Sequence, residues 1–186
     1  MATATKTAKA SKHSGAFDAL KGEFGYKSVM QAPKVVKIVV STGVNAKHDA
    51  KKRELIVDRL AKITGQAAAA RGAKKSIATF KVRTGEIVGY QITLRGARMR
   101  DFLGKLIHIV FPRLKDFRGL NVSSIDEMGN MTIGIKEHTV FPETADEDGR
   151  DVFGLAVTIT TNVKDKKEAE AFFRHIGIPL KESVTK

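Results

Sequence analysis

The sequence predicts an α+β fold: a single domain on a mostly antiparallel sheet, with helices packed on one face and long functional loops. Three observations lead there. Runs that are β-branched, or that alternate apolar with polar residues, recur at 35–42, 87–94 and 155–161. Stretches with apolar residues three and four apart recur at 56–63, 99–110 and 169–176. The two kinds do not alternate strictly, which argues against an all-parallel sheet.

Taken in order, Val35 to Thr42 follows Pro33, is rich in valine and stops at Gly43, as a strand entering a turn does. From Asp49 the spacing of Ile56, Leu60 and Ile63 predicts a helix ended by Gly65. Residues 87–94 alternate, with Val88, Tyr90, Ile92 and Leu94 on one face and Gln91 and Thr93 on the other, so one face is polar and available. Met99, Phe102, Leu103, Leu106, Ile107 and Val110 share one side of a helix that Pro112 is expected to close. Met128-Gly129-Asn130 reads as a turn into a strand from Met131, and Leu155 to Thr161 as a further strand. Asp165 and Glu168 have the spacing of a capping box, opening a helix through Ala169, Phe172, Phe173 and Ile176 that Gly177 ends.

The 186 residues include 33 Lys plus Arg against 20 Asp plus Glu, a formal charge of +13 that calls for a polyanionic partner. Hydrophobic residues make up 42%, enough for one sizeable core, which we place in residues 16–180. Residues 1–15 are basic and poor in large apolar side chains, so they are expected to be a disordered tail, with 181–186 a short C-terminal one. The charge is segregated. Twelve basic residues face three acids between Arg71 and Arg118, whereas eight acids face two bases between Asp126 and Asp151. Two such stretches suit different partners.

Several chemistries are excluded. Without cysteine there is no disulfide framework, thiolate zinc site or thiol catalysis. The five histidines are scattered, with no helical pair four apart, so no metal is expected. The glycines at 129 and 134 precede Lys136 without phosphate-loop spacing, and no G-x-S-x-G elbow occurs. No enzyme, cofactor or metal is expected. No apolar run reaches the ~18 residues of a membrane span, and residues 1–14 lack the apolar centre of a secretory signal, so the expectation is a cytoplasmic protein with no membrane partner.

Binding chemistry is present instead. From Arg71 to Gly85 the chain is basic, bracketed by glycines, and carries Phe80 among its cations, as a protruding loop would. Its lysines and arginines suit phosphates. Phe80 either stacks on a base or anchors the loop to the core. Thr93, Arg95 and Arg98 surround the strand-to-helix junction at Gly96, where backbone and side-chain donors favour a phosphate, although Gly96 also suits a plain turn.

The blocks Met30-Gln31-Ala32-Pro33-Lys34-Val35, Lys74-Lys75-Ser76-Ile77-Ala78, Phe80-Lys81-Val82-Arg83 and Thr93-Leu94-Arg95-Gly96 occur in this order. They are followed by Asp116-Phe117-Arg118-Gly119-Leu120, Phe141-Pro142-Glu143 and Gly154 to Thr161. Together they closely resemble the universal large-subunit ribosomal protein five, bacterial type, a 5S ribosomal RNA-binding family, over about residues 16 to 180. The resemblance implies a ribosome-bound structural protein of the central protuberance. Its implied partners are 5S and 23S ribosomal RNA, peptidyl-site transfer RNA, neighbouring large-subunit 5S-binding proteins and a small-subunit head protein. Carried over, the RNA-binding residues are Ser41, Thr42, Gly43, Asn45, Gln66, Thr93, Arg95 and Arg98. The transfer-RNA loop carries Lys74, Lys75, Ser76, Phe80, Lys81 and Arg83, and the intersubunit bridge Phe141, Glu143, Asp146, Glu147 and Asp148. Ser41 departs from the asparagine usual in the family, and its shorter hydroxyl is expected to reach RNA only through water. Ala67 to Ala70 replaces larger apolar residues, so the strand there should be short or frayed. A general basic nucleic-acid-binding or RNA-processing protein is the alternative. A DNA-wrapping role fits less well, since the acidic stretch would repel a duplex.

Overall fold

After Pro33 the β-branched run forms strand β1, Val35–Gly43, which buries Ile38, Val40 and Thr42 and turns Val39 and Ser41 to the opposite face. The computed structural model describes residues 15–44, 50–115, 117–145 and 152–181. The expected tails therefore lie almost wholly outside the described residues. Strand β2, Ala69–Gly72, is short and exposed throughout, as its alanines suggest. It pairs antiparallel with β3, Ile87–Leu94, which pairs antiparallel with β1 on its other edge. The register sets Val39 opposite Thr93, Ser41 opposite Gln91 and Gly43 opposite Gly89. Strands β4, Met131–Ile135, and β5, Leu155–Thr161, complete a five-stranded sheet of order β2-β3-β1-β5-β4. With four helices of nine residues or more among the described residues, this is the α+β architecture expected.

The chain forms two compact units whose segments interleave, so no single cut separates them. One comprises residues 37–115 and 133–158. Its helix α2, Ala50–Thr64, buries Ile56, Leu60 and Ile63, the predicted stripe. Helix α3, Gly96–Lys105, buries Met99, Phe102 and Leu103 and runs on through a π-helical turn, Leu106–Val110, into a last turn, Phe111–Arg113. Pro112 therefore lies inside the final turn, and the chain leaves the helix at Leu114. In the π turn the Phe111 N–H bonds to the Leu106 carbonyl, shifting the ladder one residue just before the proline that cannot donate to it.

The other unit comprises residues 1–36, 116–132 and 159–186, and helices α1, Ala16–Phe24, and α4, Lys166–Ile176, pack together in it. Helix α4 buries Ala169, Phe172, Phe173 and Ile176. Asp165 caps it, accepting from the Lys167 N–H at 3.3 Å, but Glu168 does not close the expected box. Its carboxylate accepts from the Tyr26 hydroxyl, which follows α1. Burial, helped by that hydrogen bond, pushes the tyrosine's pKa well above its ordinary value. Gly177 (φ +97°) ends α4, with the Ile178 N–H bonding back to the Phe173 carbonyl at 3.0 Å.

The turn before β4 holds Asp126, whose carboxylate accepts from the Asn130 N–H at 2.7 Å and side-chain amide at 3.0 Å. Burial opposes its charge, but these bonds outweigh that and hold the carboxyl below its usual pKa. Gly129 in this turn has φ +73°, and a Cβ there would lie 3.1 Å from both the Val163 Cβ and the Val163 carbonyl oxygen. Gly129→Ala should thus cost about 2 kcal/mol or more, from left-handed strain plus overpacking, read as a lower urea midpoint. An unchanged midpoint would mean that this turn relaxes freely.

Candidate nucleic-acid interface

Alternation along β1 and β3 puts one row of side chains into the core and leaves the other outward. Val39, Ser41 and Gly43 on β1 line up with Thr93, Gln91 and Gly89 on β3. Ser41 and Thr93 are half-buried and short, so a ligand can approach the backbone closely. Gly43 is exposed, with nothing within 4 Å of where a Cβ would stand. Thr42 belongs elsewhere: it is 6% exposed, and its Oγ1 donates to the Gly154 carbonyl at 2.7 Å. A period of two allows only one of Ser41 and Thr42 to face outward, so Thr42 offers the interface no side chain. Asn45 lies outside the described residues.

Gln66, just beyond α2, reaches the end of β3, its amide donating to the Thr93 carbonyl at 3.5 Å. From Thr93 the chain passes through buried Leu94 to Arg95, the extended residue at the start of α3, and Gly96 (φ +61°) makes the turn. Arg95 and Arg98 are both exposed. The structure thus puts Ser41, Gly43 and Thr93 on one face of the β1–β3 pair, with Gln66 bonded at the Thr93 end and Arg95 and Arg98 exposed just beyond it. Hydroxyls and an amide can read sugar and base edges there, and guanidinium groups can hold phosphates.

Between β2 and β3 the basic stretch forms a small hairpin. Ile77 and Val82 exchange backbone hydrogen bonds of 3.0 and 3.3 Å, the Lys81 N–H bonds to the Ala78 carbonyl at 3.0 Å, and Ser76 Oγ donates to the Val82 carbonyl at 3.1 Å. Lys81 turns the corner with φ +54°, the only non-glycine with positive φ among the described residues. Such an internally bonded loop is pre-organised. Phe80 is 70% exposed at its tip, so it is not a core anchor. Lys74, Lys75, Lys81 and Arg83 are exposed around it. Beside Phe80 lies an apolar hollow of about 470 Å³, lined also by Ile77, Val82 and Val88.

The acidic segment differs from expectation. Phe141 is fully buried, its ring stacked on Phe102 at 6.2 Å between centroids. Its side chain therefore offers no exposed surface to a partner. Its aromatic bulk instead fixes the segment to α3. Glu143 accepts from Lys105, whose Nζ also donates to the Ile63 carbonyl at 3.0 Å, so its charge is neutralised within the fold. Asp146, Glu147 and Asp148 lie outside the described residues. His138 is buried against the Phe153 ring, 4.2 Å away, and among the described residues no three of His, Asp and Glu gather to hold a metal.

Two residues of this face, seen in the sequence only as the edge of the basic stretch and a polar strand position, are paired by the fold. Arg71 on β2 donates through Nε to the Gln91 Oε1 at 2.7 Å, on the outward face of the sheet. Their proximity depends on the β2–β3 register, which the polyalanine stretch before Arg71 obscures.

Two family descriptions match the chain: ribosomal protein L5 over residues 28–83, and the C-terminus of the ribosomal L5 family over residues 87–180. The large ribosomal subunit protein uL5 of Mycoplasma mycoides is 44% identical over 159 residues, 85% of this chain and 88% of that protein. The uL5 of a Thermotoga species is 44% identical over 166 residues, 88% and 89% of the two chains. That of Flavobacterium johnsoniae is 43% identical over 166 residues, 89% and 91%.

Proposed function

Because this chain belongs to the L5 family of large-subunit ribosomal proteins, we propose that it docks on 5S ribosomal RNA with the outward face of β1 and β3. It is a structural, ribosome-bound protein whose general partner is ribosomal RNA. The observation that carries the finer reading is the outward row with two short hydroxyl side chains, Ser41 and Thr93, and the bare backbone of Gly43, with Arg95 and Arg98 exposed just beyond Leu94. A strand pair whose outward side chains there are short, beside Val39 and Gln91, admits a sugar–phosphate backbone, and the arginines hold it in register. The hairpin from Lys74 to Arg83 contacts peptidyl-site transfer RNA, with Phe80 as the stacking group. Contact with a small-subunit head protein falls to the charges of Asp146, Glu147 and Asp148, since Phe141 and Glu143 are engaged internally.

Binding of the full chain to 5S RNA, a random RNA of equal length and duplex DNA at one fixed salt tests the assignment. Preference for 5S RNA supports it, and equal affinities contradict it. Arg95→Ala should weaken the 5S complex about tenfold, the scale of one charge-assisted hydrogen bond of roughly 1.5 kcal/mol. Lys164→Ala, an exposed change before α4, should leave it unaltered.

A further inference from the structure

We propose that Arg71 and Gln91 form a second phosphate-binding element, set beside a floor of bare backbone at Gly43 on the outward face of the sheet. The inference rests on the reading that this face meets 5S RNA, and adds a contact that the family resemblance does not assign. Arg71 stands opposite Gly89 across β2 and β3, and Gln91 stands between Ala69 on one side and Ser41 on the other. Arg71 is exposed, and its Nε donates to the Gln91 Oε1 at 2.7 Å. That bond fixes the plane of the guanidinium while leaving both terminal amino groups, and the Gln91 amide N–H groups, without another partner among the described residues. The orienting group is neutral. A carboxylate there would cancel the charge, whereas the amide sets the direction of the fork and leaves its full charge for a ligand.

The neighbouring floor supplies a second, independent observation. Gly43 and Gly89 face each other in the register, and a Cβ on Gly89 would come 2.6 Å from the Thr42 carbonyl oxygen, so this position is confined to glycine. At Gly43 a Cβ would project into open space. Gly89 itself is buried, so it is the exposed Gly43 beside it that lets a ribose–phosphate backbone sit against the strand within reach of the fork. A planar, undischarged guanidinium beside such a floor suits the paired oxygens of a phosphodiester. An acidic polypeptide also offers paired oxygens, but it has no need of a bare backbone floor, so the RNA backbone is the occupant assigned.

The test is titration of the full chain with 5S RNA at several salt concentrations. Arg71→Lys keeps the charge and loses the fork, so affinity should fall several-fold with the salt dependence nearly unchanged. Arg71→Ala should fall further and lower the log–log salt slope by roughly 0.7 to 0.9, the share of a single phosphate. Gln91→Glu should keep the arginine oriented but cancel its charge, weakening binding about tenfold with an unaltered thermal midpoint. If Arg71→Ala and Gln91→Glu bind like wild type while Arg95→Ala does not, the Arg71–Gln91 element is wrong and the docking face stands. If all three bind like wild type, the docking face falls too. If Arg71→Ala spares 5S RNA but weakens binding of polyglutamate, the occupant is protein and the proposal is overturned.

Discussion

Replacing Lys74, Lys75 and Lys81 together by alanine should speed release of peptidyl-site transfer RNA from assembled ribosomes roughly tenfold to a hundredfold, while 5S RNA affinity stays within about twofold. The three ammonium groups are exposed on a hairpin held by its own backbone bonds, so their removal leaves the sheet face intact. A charge-assisted hydrogen bond contributes roughly 1.5–3 kcal/mol, and removing one or two in register accounts for that range. Salt supplies a second readout: for every phosphate no longer held, the log–log slope should flatten by roughly 0.7 to 0.9. Loss of 5S binding in the triple variant would assign the hairpin to the other RNA.

Phe141→Ala should lower the unfolding free energy by about 3–5 kcal/mol, a large share of the roughly 5–15 kcal/mol that stabilises most domains. The ring is fully buried and stacked on Phe102, so truncation leaves a cavity beside α3. Glu143→Ala should cost no more than about 1 kcal/mol, because its pairing with Lys105 is partly open to water. Urea unfolding of the two variants separates an anchoring aromatic from a surface charge. Wild-type stability of Phe141→Ala would make that residue available to a partner after all.

Most of the fold is legible in the sequence because its strands and helices keep clean periods. Tyr90, Ile92 and Leu94 are buried while Gln91 and Thr93 face outward, as alternation alone requires. Helix α1 is harder to see although Phe17, Leu20 and Phe24 are spaced three and four apart before Gly25, because it is short and follows a basic stretch without apolar periodicity. At the site, the distinction between Ser41 and Thr42 is a matter of strand phase, which the burial of Ile38 and Val40 fixes. The resemblance implies a bridging role for Phe141, whereas its burial against Phe102 is a long-range contact that no local pattern signals. Phe80 has two readings in sequence, and exposure separates them. Arg71 and Gln91 are twenty positions apart, and only the pairing of β2 with β3 joins them.

Since the chain has no cysteine, a single thiol can report the docking face without background. Ser41→Cys, carrying a short aryl-azide cross-linker, should on irradiation join to 5S RNA in the complex, and the same reagent on Lys164→Cys should not. Cross-linking from position 164 with none from position 41, in variants that bind 5S RNA with wild-type affinity, would contradict docking through the outward face of β1 and β3.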